Sequence, residues 1–179
     1  MEIKLLDKSI YAGYPVTIDY VSEYYFDVEI ISGDDEFNIR MIKKNFGYLY
    51  HHQGNADYER LYEKWIDNSR AFGVFDNDRL IGVMELGDEW NGRLFINILW
   101  VEEKYRRLGI GKMLVNKAKD EMKDGNYRML VLETQSSNYG AICFYLKQGF
   151  KLIGFDSTCY GNDDITKKEV RLNFGYEEE

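Results

Sequence analysis

The sequence is poor in the residues that build disulfide frameworks, metal sites and extended linkers. Its 179 residues include one proline, two cysteines and two histidines. A single proline excludes a proline-rich linker and a polyproline ligand. The two cysteines, Cys143 and Cys159, form neither a disulfide framework nor a metal cluster. His51 and His52 are adjacent and point in different directions, which makes them a poor chelate. We therefore expect no bound metal.

Long apolar runs are also missing. Residues 1–10 lack the apolar core of a signal peptide, and no run approaches the ~18 residues that a membrane span requires. These absences predict a protein of the reducing cytoplasm that has no membrane partner.

The charge balance is acidic, with 23 Lys and Arg against 31 Asp and Glu, and the net charge is −8. Such a surface repels phosphate backbones, so we expect no nucleic-acid partner. It attracts cations such as a polyamine or a lysine-like substrate, although the same charge also keeps a protein soluble. The length predicts a single domain, residues 1–179, that builds its own core.

Hydrophobic periodicity and turn residues predict a mixture of strands and helices. Strands are predicted at residues 24–31, 36–42, 71–76, 79–86, 93–101, 128–134, 150–160 and 168–174. Helices are predicted at residues 57–70, 109–124 and 138–148. The strand at 93–101 is apolar on both faces except at Asn97, which predicts a central position in a sheet. The order of elements predicts an α+β fold with a mixed sheet.

A glycine-containing loop separates the strand that ends at Val101 from the helix at 109–124. The loop reads Arg106-Arg107-Leu108-Gly109-Ile110-Gly111. The N–H groups of a first helical turn lack intrahelical partners and carry partial positive charge. A phosphate or pyrophosphate is their natural ligand, and Arg106 and Arg107 would add charge-assisted contacts. The alternative is a plain helix start. A dinucleotide fingerprint is excluded because Leu114 stands where it needs glycine.

Two motifs in this order resemble the Gcn5-related N-acetyltransferase (GNAT) superfamily. The first is R-x-x-G-x-G at 106–111, after a strand ending in valine. The second begins about thirty residues later and reads Asn138-x-x-Ala141-x-x-Phe144-Tyr145-x-x-x-Gly149-Phe150. The resemblance implies a three-layer fold with a mixed, mostly antiparallel central sheet, helices on both faces and a splay between the two central parallel strands. It also implies an acetyl-CoA-binding core at 71–174 and a variable part at 1–50.

Over residues 71–174 the sequence is similar to the streptothricin acetyltransferases. The matching positions are Trp90-Asn91-Gly92, Leu132-Glu133-Thr134-Gln135, Asn138, Gly154-Phe155-Asp156 and Glu169. This implies direct acetyl transfer, through a ternary complex, to a primary amine of a cationic small molecule. A streptothricin-type antibiotic with its β-lysine amine is the first candidate, and the role would be antibiotic resistance. One departure is Asn97, where those enzymes usually carry an acid.

The resemblance also assigns roles to residues. Coenzyme contacts fall on Leu99, Trp100, Val101, Arg106, Arg107, Leu108, Gly109, Ile110, Gly111, Lys112, Asn138 and Tyr145. The backbone of 99–101 would pair with the pantetheine arm, and the N–H of Leu99 would polarise the thioester carbonyl. Tyr145 follows Asn138 by two helical turns and would protonate the leaving thiolate.

Several polar side chains are candidates for handling the acceptor amine. A lysine-like amine has a pKa of about 10.4 and must lose a proton before it attacks. Glu133 is the first candidate to receive that proton and Glu85 the second. Glu133 and Glu85, together with Asp88, Glu89 and Asn97, are candidates for binding the acceptor. Each carboxylate could equally be a solvated or structural charge.

Other functions stay open at this point. The acceptor could be a polyamine, an aminoglycoside or a protein amino group. A non-catalytic acyl-CoA-binding domain would keep the loop and lose the acid, and the presence of both Asn138 and Tyr145 argues against it. We expect a monomer or a homodimer.

Overall fold

The computed structural model describes residues 1–178, which contain nine strands and four α-helices. The strands are β1 (Ile3–Leu5), β2 (Tyr20–Ser32), β3 (Phe37–His52), β4 (Arg70–Asp76), β5 (Arg79–Asp88), β6 (Arg93–Val101), β7 (Met129–Gln135), β8 (Lys151–Asp156) and β9 (Arg171–Tyr176). The helices are α1 (Lys8–Tyr11), α2 (Ile110–Asp124), α3 (Tyr139–Lys147) and α4 (Asp164–Lys167), and a 3-10 turn covers Glu103–Tyr105. No helix among the described residues is long and apolar enough to cross a membrane.

The chain divides into two compact units. The first unit consists of Met1–Ile18, Gln53–Leu132 and the residues from Gly175 onward. The second unit consists of Asp19–His52 and Glu133–Phe174. Strand β7 therefore begins in the first unit and ends in the second. That residues 1–179 form a single domain stays a prediction.

The first unit is built on a mixed sheet in which the strand order is β1-β4-β5-β6-β7. The pairs β1–β4, β4–β5 and β5–β6 are antiparallel, whereas β6 and β7 are parallel. The predicted mixed sheet and the central position of β6 are confirmed. The tight turns also follow the sequence, because Asn77 between β4 and β5 and Gly92 between β5 and β6 both have positive φ, at 54° and 76°.

Helix α2 packs its apolar face against β5 and β6. The buried side chains on that face are Ile110, Leu114, Val115, Ala118 and Met122. They follow the spacing of an amphipathic helix, as the sequence predicts. A Cβ on Gly82 of β5 would lie 2.8 Å from Cγ2 of Ile110. Glycine at this position therefore lets the helix approach the strand closely.

The helix predicted at residues 57–70 is wrong. This segment forms a series of turns that leads into β4. Tyr62 and Asn68 have φ values of 62° and 46°, which a right-handed helix does not allow. Leu61 and Tyr62 are buried as anchors of the segment, and the backbone N–H of Tyr62 donates to Oε1 of Glu85 at 2.6 Å. The apolar spacing reflects these anchors and not a helical face.

The second unit contains a long antiparallel ribbon of β2 and β3. The ribbon runs from the pair Tyr20–His52 to the pair Ser32–Phe37, and it extends well beyond the strands predicted at 24–31 and 36–42. Aromatic rings stack along it, as between Phe46 and Tyr50, whose centroids lie 4.8 Å apart. In the added part of the ribbon, the ring of Tyr20 on β2 stacks on that of His52 on β3, with the centroids 4.6 Å apart. Cross-strand ring contacts of this kind stabilise the extra length.

The second unit also contains the end of β7, then most of β9 and all of β8, in that order. The strand predicted at 150–160 ends early, at Asp156, because its Oδ1 accepts a hydrogen bond from the backbone N–H of Thr158 at 2.9 Å and closes a turn. Helix α3 follows Asn138, as predicted, and packs against β2.

Candidate functional site

The glycine-containing loop lies directly before α2 in the first unit. Gly109 is the N-cap residue and has a φ of 87°, in the left-handed region that favours glycine. A Cβ at Gly109 would meet no heavy atom of the described chain within 4 Å. The requirement for glycine is therefore conformational, and the space beside the uncapped first turn of α2 is open to a ligand.

Cationic side chains surround this helix start. Arg106, Arg107 and Lys112 are exposed, and Nε of Arg106 donates to the carbonyl of Val101 at 3.0 Å. That bond fastens the loop to the end of β6. Helix N–H groups with arginine and lysine side chains are a suitable set of donors for a pyrophosphate.

Strand β6 carries a β-bulge. The register between β5 and β6 shifts between Glu85 and Leu86, so that Asn97 is the extra residue. A bulge re-aims the side chain that it carries. The parallel pairing with β7 extends as far as Ile96 in the described register. Residues 99–101, predicted to pair with the pantetheine arm, therefore lie beyond the paired stretch.

Two polar atoms near the bulge are buried without a hydrogen-bond partner among residues 1–178. They are Nδ2 of Asn97 and Oε2 of Glu85. The other oxygen of Glu85 accepts hydrogen bonds from the N–H of Tyr62 at 2.6 Å and from Oγ of Ser69 at 2.5 Å. Glu85 is 0% exposed. Burial raises the pKa of this carboxyl group, and its two neutral donors offset part of the increase.

Asp88 and Glu89 lie where β5 ends and are engaged by neighbouring donors. Asp88 accepts hydrogen bonds from Asn68 at 2.8 Å, Arg70 at 3.1 Å and Tyr127 at 2.6 Å. Burial would raise the pKa of Asp88, but these donors hold it below its usual range. Glu89 is ion-paired with Arg93. The roles predicted for both residues in acceptor binding stay predictions.

The second sequence motif lies in the second unit and opens α3. Oδ1 of Asn138 caps the helix by accepting the N–H of Ala141 at 3.2 Å. Tyr145 is 8% exposed, and its ring meets those of Phe144 and Phe150 edge-on. Burial raises the pKa of Tyr145, so its hydroxyl stays protonated at neutral pH.

Glu133 lies near the end of β7 and faces an arginine that the sequence analysis did not single out. Nη1 of Arg171 lies 3.1 Å from Oε2 of Glu133, and Nη2 of Arg171 lies 3.8 Å from Asp156. The Glu133 side chain is 33% exposed. Burial raises its pKa, while Arg171 and a hydrogen bond from Tyr160 lower it. The strand pattern marks Arg171 as a polar position but does not identify its partners.

A set of hydroxyl contacts in the second unit was also not predicted from the sequence. The hydroxyl of Tyr20 lies 2.6 Å from Oε1 of Gln135 and 2.7 Å from Oγ of Ser137. The hydroxyl of Tyr50 donates to Glu169 at 2.6 Å. These contacts join residues far apart in sequence, so no local pattern could reveal them.

Metal ligation finds no support in the described part of the chain. Within residues 1–178, no group of three or more His, Cys, Asp or Glu side chains could hold a metal ion. His52 instead stacks on the ring of Tyr20, with the two centroids 4.6 Å apart.

The chain is similar in sequence to known proteins. A model of the acetyltransferase (GNAT) family matches residues 36–150. Streptothricin acetyltransferase A of Bacillus subtilis (strain 168) is 32% identical over 110 residues, which cover 62% of this chain and 63% of that protein. A streptothricin acetyltransferase of Escherichia coli is 32% identical over 106 residues, which cover 59% of this chain and 61% of that protein. The matches span less than two thirds of the length of these relatives.

The fold is also found among solved structures. A crystal structure from Bacillus anthracis str. Ames, of a protein assigned as a streptothricin acetyltransferase in complex with acetyl coenzyme A, aligns with a TM-score of 0.76. The two chains are 24% identical, and the alignment covers 99% of each. This likeness confirms the predicted fold. The family match spans well over half of the chain and includes the glycine-containing loop and α3. The chain belongs to the acetyltransferase (GNAT) family.

Proposed function

We propose that this protein is an acetyl-CoA-dependent N-acetyltransferase that acts on a primary amine of a cationic small molecule, in the first place a streptothricin-type antibiotic. The observation that carries the proposal is the open helix start behind Gly109, with its cationic loop. The acceptor class is supported by the names of the two curated relatives and by the net charge of −8. An acidic protein draws a cationic acceptor toward its surface.

The first unit supplies groups suited to the coenzyme. Acetyl-CoA provides the acetyl group as a thioester and carries a pyrophosphate. The N–H groups that open α2, together with Arg106, Arg107 and Lys112, hold that pyrophosphate. The backbone of residues 99–101 offers hydrogen bonds to the pantetheine arm, and the N–H of Leu99 donates to the carbonyl oxygen that becomes negatively charged.

Two titratable side chains take part in the proton transfers of the proposed reaction. The buried Tyr145 hydroxyl keeps its proton at neutral pH and releases it to the leaving group. Glu133 receives the proton of the acceptor ammonium, directly or through water. Its partial exposure favours it over the fully buried Glu85. Asn97 contributes a neutral amide to acceptor binding, where an acid would contribute a negative charge.

The acceptor is tested by incubating the purified protein with acetyl-CoA and one amine at a time. The amines are streptothricin, spermidine, kanamycin and a peptide with a free N-terminus, and thiol release and product mass are recorded. We expect a mono-acetylated streptothricin. Turnover of another amine without streptothricin would move the protein to that acceptor class, and release of no thiol with any amine would contradict the proposed activity.

Coenzyme binding is tested independently of the acceptor by Gly109→Val. Acetyl-CoA should raise the melting temperature of the parent protein because it binds only the folded state. The valine should abolish this increase by filling the open space and disfavouring the left-handed N-cap. Gly13→Val is the matched control, because Gly13 also has positive φ, at 77°, and open space around it. Gly13→Val should keep the increase. An equal increase in Gly109→Val would exclude the loop as the coenzyme site.

A further inference from the structure

A guanidinium group shared by two carboxylates is the main charged feature around Glu133. Arg171 contacts Glu133 through Nη1 at 3.1 Å and Asp156 through Nη2 at 3.8 Å. Glu133 lies on β7, Asp156 on β8 and Arg171 on β9, so all three side chains project from regular strands. Arg171 is followed by the buried Leu172, which fixes the strand that carries the guanidinium.

This arrangement resolves a conflict in the requirements for a base. A carboxylate that accepts a proton must be ionised beforehand, yet partial burial favours its neutral form. The guanidinium is ionised at every accessible pH, so its attraction to Glu133 is constant. The short contact to Glu133 and the longer contact to Asp156 also show which carboxylate the arginine favours.

We propose that Arg171 is a positioning residue that keeps Glu133 ionised and oriented to accept the proton of the acceptor amine, and that Asp156 limits this effect by sharing the guanidinium. The inference rests on the proposed function, because it concerns the proton acceptor of that reaction. Arg171 itself needs no contact with the acceptor or the coenzyme.

The groups that face Glu133 determine the sign of each expected change. Arg171 on β9 is the cation, and Asp156 on β8 is the like charge. Tyr160, in the loop after β8, donates a hydrogen bond to Glu133, and Cys159 of the same loop lies within electrostatic range. Loss of the cation therefore raises the pKa of Glu133. Loss of the Asp156 charge lowers that pKa, both directly and by releasing the guanidinium.

The first measurement is a carbon-13 NMR titration of the Glu133 carboxyl group in the free protein, with its signal assigned by Glu133→Gln. We expect a higher midpoint in Arg171→Gln than in the parent and a lower midpoint in Asp156→Asn. Arg171→Lys, which keeps the charge and loses the planar fork, should fall between the parent and Arg171→Gln. Opposite shifts from two neighbours of one side chain distinguish tuning from general disruption, and Asp156→Asn still informs if Arg171→Gln does not fold.

The second measurement is the pH dependence of kcat/KM with acetyl-CoA and streptothricin. The acid limb should move in the direction of the NMR midpoint in each variant, and the rate on that limb should change about tenfold for each pH unit of displacement. An unchanged NMR midpoint in both variants would overturn the role of Arg171, whatever the activity. Shifted midpoints with an unmoved acid limb would overturn its link to the reaction and remove Glu133 as the base. Absence of any turnover, by contrast, would contradict the proposed function, while the NMR result would still stand.

Discussion

The two compact units differ in how their polar groups are satisfied. In the first unit, Asp88 receives three side-chain donors, and Glu85 is sealed from solvent with two neutral donors on one oxygen. In the second unit, Glu133 stays partly exposed beside a shared arginine. Tyr145 has a pKa that burial alone raises. Perturbed groups that remain within reach of a ligand are candidates for chemistry.

The contrast is sharpest between the two glutamates. Burial is the main cause of the raised pKa in both. Only Glu133 has a cation in hydrogen-bond range, and only Glu133 is exposed enough to meet an acceptor. The same residue type thus serves the fold in one unit and, by our proposal, the reaction in the other.

The proposal that side chains of the second unit carry out the proton transfers is contradicted most directly if Tyr145→Phe keeps full activity. The substitution retains the buried ring and removes only the hydroxyl, so the fold and the increase in melting temperature with acetyl-CoA should survive. We expect kcat to fall by about 10²–10⁴-fold, the usual range for loss of a general acid. The KM for acetyl-CoA should change little, because the lost interaction belongs to the transition state.

Single-turnover measurements are needed here, so that chemistry and not product release limits the rate. Phe144→Leu is the control for ring packing, because Phe144 contacts the Tyr145 ring and carries no proton. A parental rate in Tyr145→Phe would assign the proton to water and leave Tyr145 with a packing role.

Local patterns predicted the parts of the fold that depend on neighbours in sequence. The amphipathic face of α2, the cap at Asn138 and the glycine-containing loop were all found where short-range spacing placed them. The segment at 57–70 failed because its apolar residues anchor turns, through contacts such as that of Tyr62 with Glu85. Those contacts are long-range and compete successfully with helix propensity.

In the candidate site, too, the sequence predicted the parts that depend on neighbouring residues and missed the long-range contacts. The glycine-containing loop is contiguous in sequence, so its spacing alone suggested a function. The partner of Glu133 is 38 positions away, at Arg171, and the contacts of Tyr20 with Gln135 and Ser137 span more than a hundred residues. A pairing of this kind depends on strand order, which one sequence does not reveal.

Glu133→Gln and Glu85→Gln separate the two glutamates by activity. We expect Glu133→Gln to lower kcat/KM for the acceptor by about 10²-fold at neutral pH, near the lower end for loss of a general base. The deficit should shrink as the pH rises toward the pKa of the amine, about 10.4, because the amine then loses its proton to water. Glu85→Gln should change kcat/KM by less than about tenfold, since Glu85 has no access to the acceptor.

The pH profile of each variant gives the decisive comparison. In Glu133→Gln the acid limb of kcat/KM should be replaced by a rise that continues toward the pKa of the amine, about 10.4, whereas in Glu85→Gln the parental acid limb should persist. The reverse pattern would make Glu85 the proton acceptor, and would require the turns at 57–70 to open during turnover.

The smallest expected effect is on the pH dependence of folding stability. The pKa of Glu85 is raised in the folded state, so above the unfolded value of about 4.3 the unfolded chain ionises first. The free energy of unfolding therefore falls as the pH rises from that value through the folded pKa, and is constant beyond it. Glu85→Gln should remove this fall, so its stability relative to the parent increases with pH across the window. Ser69→Ala deletes a donor that lowers the pKa of Glu85 and should extend the fall to higher pH. Denaturant titrations at closely spaced pH values measure how the free energy of unfolding of each variant depends on pH. If this dependence is the same in the parent and in Glu85→Gln, the buried carboxyl group of Glu85 does not cause the fall in stability.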